Sequence, residues 1–158
     1  MNIKRVILFS TILSSMLIIS CNPPSKIAGS YTHKTECLGT ELDGSQTLKA
    51  WGTGKNLTDA VEQAKKQALR DVIFVGIRDG KQECNTKPLV VEVNANEKYE
   101  DYWFKFFADG GLYTQFTSHQ DGKYLKKLRA GDQITYGVTV RVLRQKLKQQ
   151  LINDKILK

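Results

Sequence analysis

Between Leu57 and Phe74 the apolar residues Leu57, Ala60, Val61, Ala64, Ala68 and Val72 recur at steps of three and four. That spacing puts them on one face of a helix, and three of the six are alanines. A helix whose buried stripe carries so little side chain can lie close on a flat partner, and a β-sheet is such a partner. Two strand patterns supply one. In Gln46–Gly52, Leu48 and Ala50 point one way while Thr47, Lys49 and Trp51 point the other. In Gln133–Leu143, Ile134, Tyr136, Val138, Val140 and Val142 alternate with Thr135, Gly137, Thr139, Arg141 and Leu143. Strands with one apolar and one polar face belong to a sheet covered on one side only.

The other elements follow from local signals. Asn56 is a good N-cap for the long helix, and Asp59 and Glu62 suit its positive end. Gly52-Thr53-Gly54 breaks the preceding strand and permits a tight strand-to-helix turn. Arg78–Lys87 is polar, with an Asp79-Gly80 turn signal, and Leu89–Val93 is β-branched and strand-like. Asn96 is the expected cap of a short helix carrying Tyr99, Tyr102, Trp103, Phe106 and Phe107, stopped by Asp109-Gly110-Gly111. Leu112–Thr117 is a strand candidate, Asp121-Gly122 a turn, and Lys123–Arg129 a basic helical turn or loop. Arg144–Lys155 closes the chain as an amphipathic helix through Leu147, Leu151 and Ile152. The expected architecture is an α+β fold of two layers, with helices packed on one face of a mostly antiparallel sheet.

The first twenty residues are of a different kind. Lys4 and Arg5 are their only charges, and an apolar run follows from Val6 to Ile19, interrupted by Ser10, Thr11, Ser14 and Ser15. A spanning helix needs about 20 apolar residues, whereas a positive start with a shorter apolar core is the pattern of an export signal. The segment ends Leu17-Ile-Ile-Ser-Cys21, and this resembles the bacterial lipobox, which implies cleavage before Cys21 and diacylglycerol on its thiol. An ordinary secretory signal or an uncleaved anchor helix is the competing reading, and Pro23-Pro24 argues against a helix that continues. Two or three acyl chains would hold the protein on a membrane firmly, where one would not. The expected division is therefore a leader over residues 1–20, a lipidated tether over 21–44 with an irregular strand near Tyr31, and a single domain over 45–158.

At 41% hydrophobic and 25% charged residues the chain has ordinary globular composition. The net charge of +8 falls to +6 once Lys4 and Arg5 leave with the leader. That balance favours anionic surfaces such as lipid headgroups or wall polymers; the cations are too dispersed to point to nucleic acid. With Cys21 acylated, Cys37 and Cys84 remain as an even pair in an exported chain. They either form a bridge, which would contribute about 4 kcal/mol by loop closure, or stay as two thiols. No His/Cys cluster accompanies them, so neither a metal nor a cofactor is expected.

An enzyme is not expected. Ser118, His119 and Asp121 have the residue types of a hydrolase triad, but triad members come together from distant segments. Gly52-Thr-Gly54 lacks the further glycine and the lysine of a phosphate loop. His33 falls in the tether. The aromatic segment reads chiefly as core, with Tyr102 and Trp103 as a candidate docking surface for a partner or a glycan. Lys123, Lys126, Lys127 and Arg129 form a basic set that would meet anionic lipid or wall polymer, at about 1 kcal/mol per cation. A solvated loop is the plainer reading of that set.

Leu48-Lys-Ala-Trp-Gly-Thr-Gly54 running into the alanine-rich helix is similar to the opening of the N-terminal domain of flagellar assembly protein T and of small lipoproteins grouped with it. Val138-x-Val-x-Val142 leading into Leu147-x-x-x-Leu151 fits the same pattern, as does Phe106–Tyr113. The resemblance spans about residues 46–152. It implies a compact α+β envelope domain that takes part in a larger assembly, with no catalytic residue to carry over and no flagellar role. The functional expectation is a lipoprotein on the bacterial outer membrane, with a non-enzymatic domain that meets an envelope protein partner. A small-ligand or glycan-binding module is the alternative.

Overall fold

A computed structural model describes residues 33–130 and 133–157, with 119–130 described by their backbone. Among the described residues five strands form one sheet, in the order β3-β1-β2-β5-β4. They are β1 (Glu36–Thr40), β2 (Gln46–Gly54), β3 (Asp79–Gly80), β4 (Thr117–Ala130) and β5 (Gln133–Val142). All neighbours are antiparallel except β1 and β3. The helices are α1 (Leu57–Arg70), α2 (Ala95–Lys98), α3 (Glu100–Phe106) and α4 (Arg144–Asn153), with a 3₁₀ turn at Leu112–Gln115. The α+β class and the mostly antiparallel sheet packed against a helix are as the sequence predicts.

The centre of the fold is α1 lying on β2 and β5. Asn56 caps the helix, its Oδ1 accepting from the Asp59 N–H at 2.9 Å. Ala60, Ala64 and Ala68 are fully buried, as are Leu48, Ala50, Val138, Val140 and Val142 on the sheet face beneath. Neither Gly52 nor Gly54 has a positive φ, and both permit the close approach of strand and helix across the two-residue connection. A Cβ on Gly52 would overlap the Ala60 carbonyl oxygen and the Ala64 nitrogen, and one on Gly54 would meet Asp59 and the Ala60 nitrogen. The absent side chains are what let helix and strand touch backbone to backbone.

Past Arg70 the helix widens into a π turn, Asp71–Val75, which ends at Gly76 with φ 82°. A helix end leaves carbonyls without intrahelical partners, and here the chain returns to meet two of them. Leu89 and Val90 donate their N–H groups to the carbonyls of Val72 and Ile73 at 3.0 and 2.8 Å. Leu89–Val93 is therefore a strap across the helix end and not the expected strand.

Several other boundaries differ. The folded domain begins before residue 45, because β1 lies in the expected tether and pairs with β2. Glu-Cys-Leu-Gly-Thr has no alternation to announce a strand; β1 is held by its two neighbours and by the Cys37–Cys84 disulfide, which spans a sequence separation of 47. Thr35, just ahead of it, donates its hydroxyl to Asp71 on the π turn. Tyr31 lies outside the described residues. Leu112–Thr117 is a 3₁₀ turn up to Gln115, with a strand starting only at Thr117. Lys123–Arg129 belongs to strand β4 and is neither loop nor helical turn. The aromatic helix is broken at Tyr99, and Asn94 with φ 62° precedes it, so Asn96 is inside α2 rather than its cap. On α4, Leu147 and Leu151 are buried but Ile152 is exposed; Ile156 folds back into the core instead, its N–H donating to Leu151.

Gly52→Ala is expected to lower unfolding free energy by about 3 kcal/mol or more, since the methyl group meets backbone that cannot move aside. Gly110→Ala, where nothing lies within 4 Å of the added carbon and φ is 71°, should cost only about 1–2 kcal/mol for its left-handed backbone. Urea unfolding of the two variants checks the difference.

Candidate functional site

The aromatic segment supplies both core and surface. Trp103 is 4% exposed; its ring lies edge-on to Phe74 and Tyr102, each at 4.9 Å, and its Nε1 donates to the Ala95 carbonyl at 3.1 Å. Phe106 stacks on Phe116 at 5.9 Å. Tyr102 is half-buried and donates its hydroxyl to Asp154 at 2.6 Å, tying α3 to the end of α4. Burial and the Asp154 carboxylate push that phenol well above its ordinary range, so it stays protonated. Trp103 is thus mostly core, with its ring edge reaching the groove beside Phe104, and Tyr102 is half-buried. The residue that turns outward is Phe104, 79% exposed. It is one step, about 100°, around the helix from Trp103.

Phe104 borders an open groove of about 950 Å³ between the end of α1, the strap and α2–α3. Phe74, Val90, Trp103 and Phe107 give it apolar walls, and Glu92, Glu97 and Glu100 stand along it. Among the described residues Arg70 is the one cation that lines it, and that guanidinium sits 4.9 Å over the Phe107 ring. Glu92 is paired with Lys98 at 2.5 Å. The strap carries its own outward apolar residues: Val90 is buried, whereas Val91 and Val93 are exposed. An acidic, apolar mouth on a chain of net charge +8 is a local reversal of the protein's overall field.

A second cleft, about 690 Å³, lies where α1 begins. Two hydrogen-bonded pairs involve residues at its wall. Tyr113 donates its hydroxyl to Glu62 at 2.7 Å, and the buried Lys66 ammonium meets Asp109 at 2.7 Å. Lys66 holds the Asp109 carboxyl below its usual range. Among the described residues no group of three or more His, Cys, Asp or Glu side chains could hold a metal ion.

The remaining sequence candidates are scattered. Cys21 lies outside the described residues. The side chains of Lys123, Lys126, Lys127 and Arg129 also lie outside them; the backbone sets Lys126 opposite Gly137, Lys127 opposite Tyr136 and Arg129 opposite Ile134. Ser118 and His119 take consecutive places on β4, opposite Arg141 and Val140. His33 stacks on one face of Trp51 with ring centres 4.2 Å apart. No helix among the described residues is long and apolar enough to cross a membrane. Sequence reasoning missed Phe104 and the glutamates, although the helical wheel that buries Trp103, Phe106 and Phe107 already turns residue 104 away. No protein family, curated protein or solved structure matches this chain.

Trp103→Ala is expected to cost about 3–5 kcal/mol of stability. Phe104→Ser, a change on the open side of the same helix, should stay within about 0.5 kcal/mol of the parent. Denaturant midpoints measured side by side check the assignment of core and surface.

Proposed function

We propose that this chain is a bacterial envelope lipoprotein, cleaved before Cys21 and held by acyl chains on the outer membrane. Its α+β domain acts without catalysis, as a docking module for another envelope protein. The groove beside Phe104 receives an apolar segment of that partner flanked by basic residues. The single observation that carries the docking reading is the coincidence of exposed Phe104 with a row of glutamates on an otherwise basic chain. Apolar side chains left in water at a concave surface mark interaction sites, and complementary charge selects the partner and speeds its approach. The anchor is supported by the Leu17–Cys21 segment. The ligand-binding module stays the second reading: Trp103 lines the groove and Tyr113 the cleft where α1 begins, whereas Trp51 is stacked by His33.

Metabolic labelling with palmitate should mark the intact chain and place it in the membrane fraction, and Cys21→Ala should lose both. A label that persists in Cys21→Ala contradicts the anchor. For the groove, purification of the lipidated protein from its own membranes is expected to retain a partner that Phe104→Ser loses. The double change Glu97→Lys with Glu100→Lys should lose it as well. Retention of the same partner by both folded variants, or no partner with the parent protein, rules the groove out.

A further inference from the structure

The groove beside Phe104 and the basic run of β4 lie at opposite ends of the domain, and their charges are of opposite sign. The stretch Lys123-Tyr-Leu-Lys-Lys-Leu-Arg129 holds four cations, three apolar residues and no acid. Among the described residues β4 is the last strand of the sheet, paired along one edge with β5. Its other edge is open to a partner. Lys126, Lys127 and Arg129 stand in register with Gly137, Tyr136 and Ile134 of β5. Those positions of β5 pair in turn with Trp51, Gly52 and Gly54, at the end of β2 from which the chain enters α1. The groove is at the other end of that helix, where Arg70 and Phe74 line it. The 14 residues of α1 set the two places about 20 Å apart. Pairing along β5 holds the basic run there, away from its own groove.

On the groove side the lip is apolar, with Phe104, Val91 and Val93 exposed. Glu92 is engaged by Lys98, and Arg70 lies over the Phe107 ring. Glu97 and Glu100 are exposed and take part in no ion pair among the described residues. Such a mouth suits a segment in which apolar residues alternate with cations. The run at 123–129 is the densest cluster of cations in the chain. Other basic stretches are already committed: Lys65 and Lys66 meet Glu62 and Asp109, and Arg144 is buried.

We infer that the groove takes the basic run of β4 from a second copy of this chain, so that copies join head to tail. The inference rests on the docking reading above and names its occupant. Because the two surfaces differ and lie at opposite ends, the contact is heterologous, and it extends into rows or closes into a ring. A run of four cations is set against the carboxylates of Glu97 and Glu100. Complementary charge of this kind selects the partner, whereas like charges brought together would exclude it.

The test uses sedimentation of the lipidated protein in excess neutral detergent, over a range of protein concentrations. The parent is expected to self-associate, and less so as salt screens the charges. Glu97→Lys with Glu100→Lys, and separately Lys126→Glu with Lys127→Glu, should each weaken self-association roughly a hundredfold. An equimolar mixture of the two variants should recover it, because one keeps the parent run and the other the parent groove. Recovery on mixing cannot come from misfolded protein. A parent that stays monomeric, association unchanged in either variant, or a mixture that stays apart would overturn the second copy as occupant. The docking reading itself falls only if the protein purified from its membranes also holds no partner that Phe104→Ser loses.

Discussion

Backbone contact between α1 and β2 at Gly52 governs where everything else in this domain can be. With hydrogen in place of a side chain at that position, the turns of α1 at Ala60 and Ala64 rest directly on the strand. The helix is thereby held low and flat on the sheet, and its stripe of alanines suffices to seal Leu48, Ala50 and the valines of β5 from water. A close helix has little volume beneath it, so the bulky side chains must be placed elsewhere. They gather past its far end, where Phe74, Trp103, Phe106, Phe107 and Phe116 make a second, aromatic part of the same core. The strap at Leu89 and Val90 joins the two parts by capping the widened end of the helix.

That arrangement leaves two unbalanced surfaces at different places. Beside the aromatic cluster, α3 is too short and too one-sided to bury all its rings, and Phe104 with the neighbouring glutamates borders the open groove. At the start of α4, the chain leaves β5 and enters a helix with no side-chain cap and no acid in its first turn, burying Arg144 as it does so. In each case local structure is settled by packing, and some residues are left unmatched by it. Where α1 begins, two pairs are matched instead: Tyr113 with Glu62, and Lys66 with Asp109.

Residue spacing alone carries much of this fold. The face of α1, its Asn56 cap, the alternation of β2 and β5, and the two-layer α+β class are all legible in the periodicity of the chain. The elements that spacing misreads are those held by tertiary partners. β1 has no alternation and exists because β2, β3 and the bond from Cys37 to Cys84 hold it. Leu89–Val93 has β-branched residues, yet two of its N–H groups are taken by helix carbonyls instead of a neighbouring strand. Lys123–Arg129 carries too many cations to look like a strand and is paired along β5 all the same. The burial of Arg144 is not legible in its sequence context, which gives no sign that a helix-starting arginine will be enclosed. Cys21, by contrast, makes its claim through sequence alone, and the described residues add nothing to it.

Occupancy of the groove beside Phe104 in the envelope is the central functional claim. A photo-crosslinking residue placed at position 104 of the full lipidated chain, in intact cells, tests it directly. A second placed at position 152, exposed on α4, is the control. The docking reading predicts a discrete protein adduct from 104, joined through an apolar segment with basic neighbours, and none of that adduct from 152. The same adduct from both positions, or only lipid and water products from 104, would contradict it.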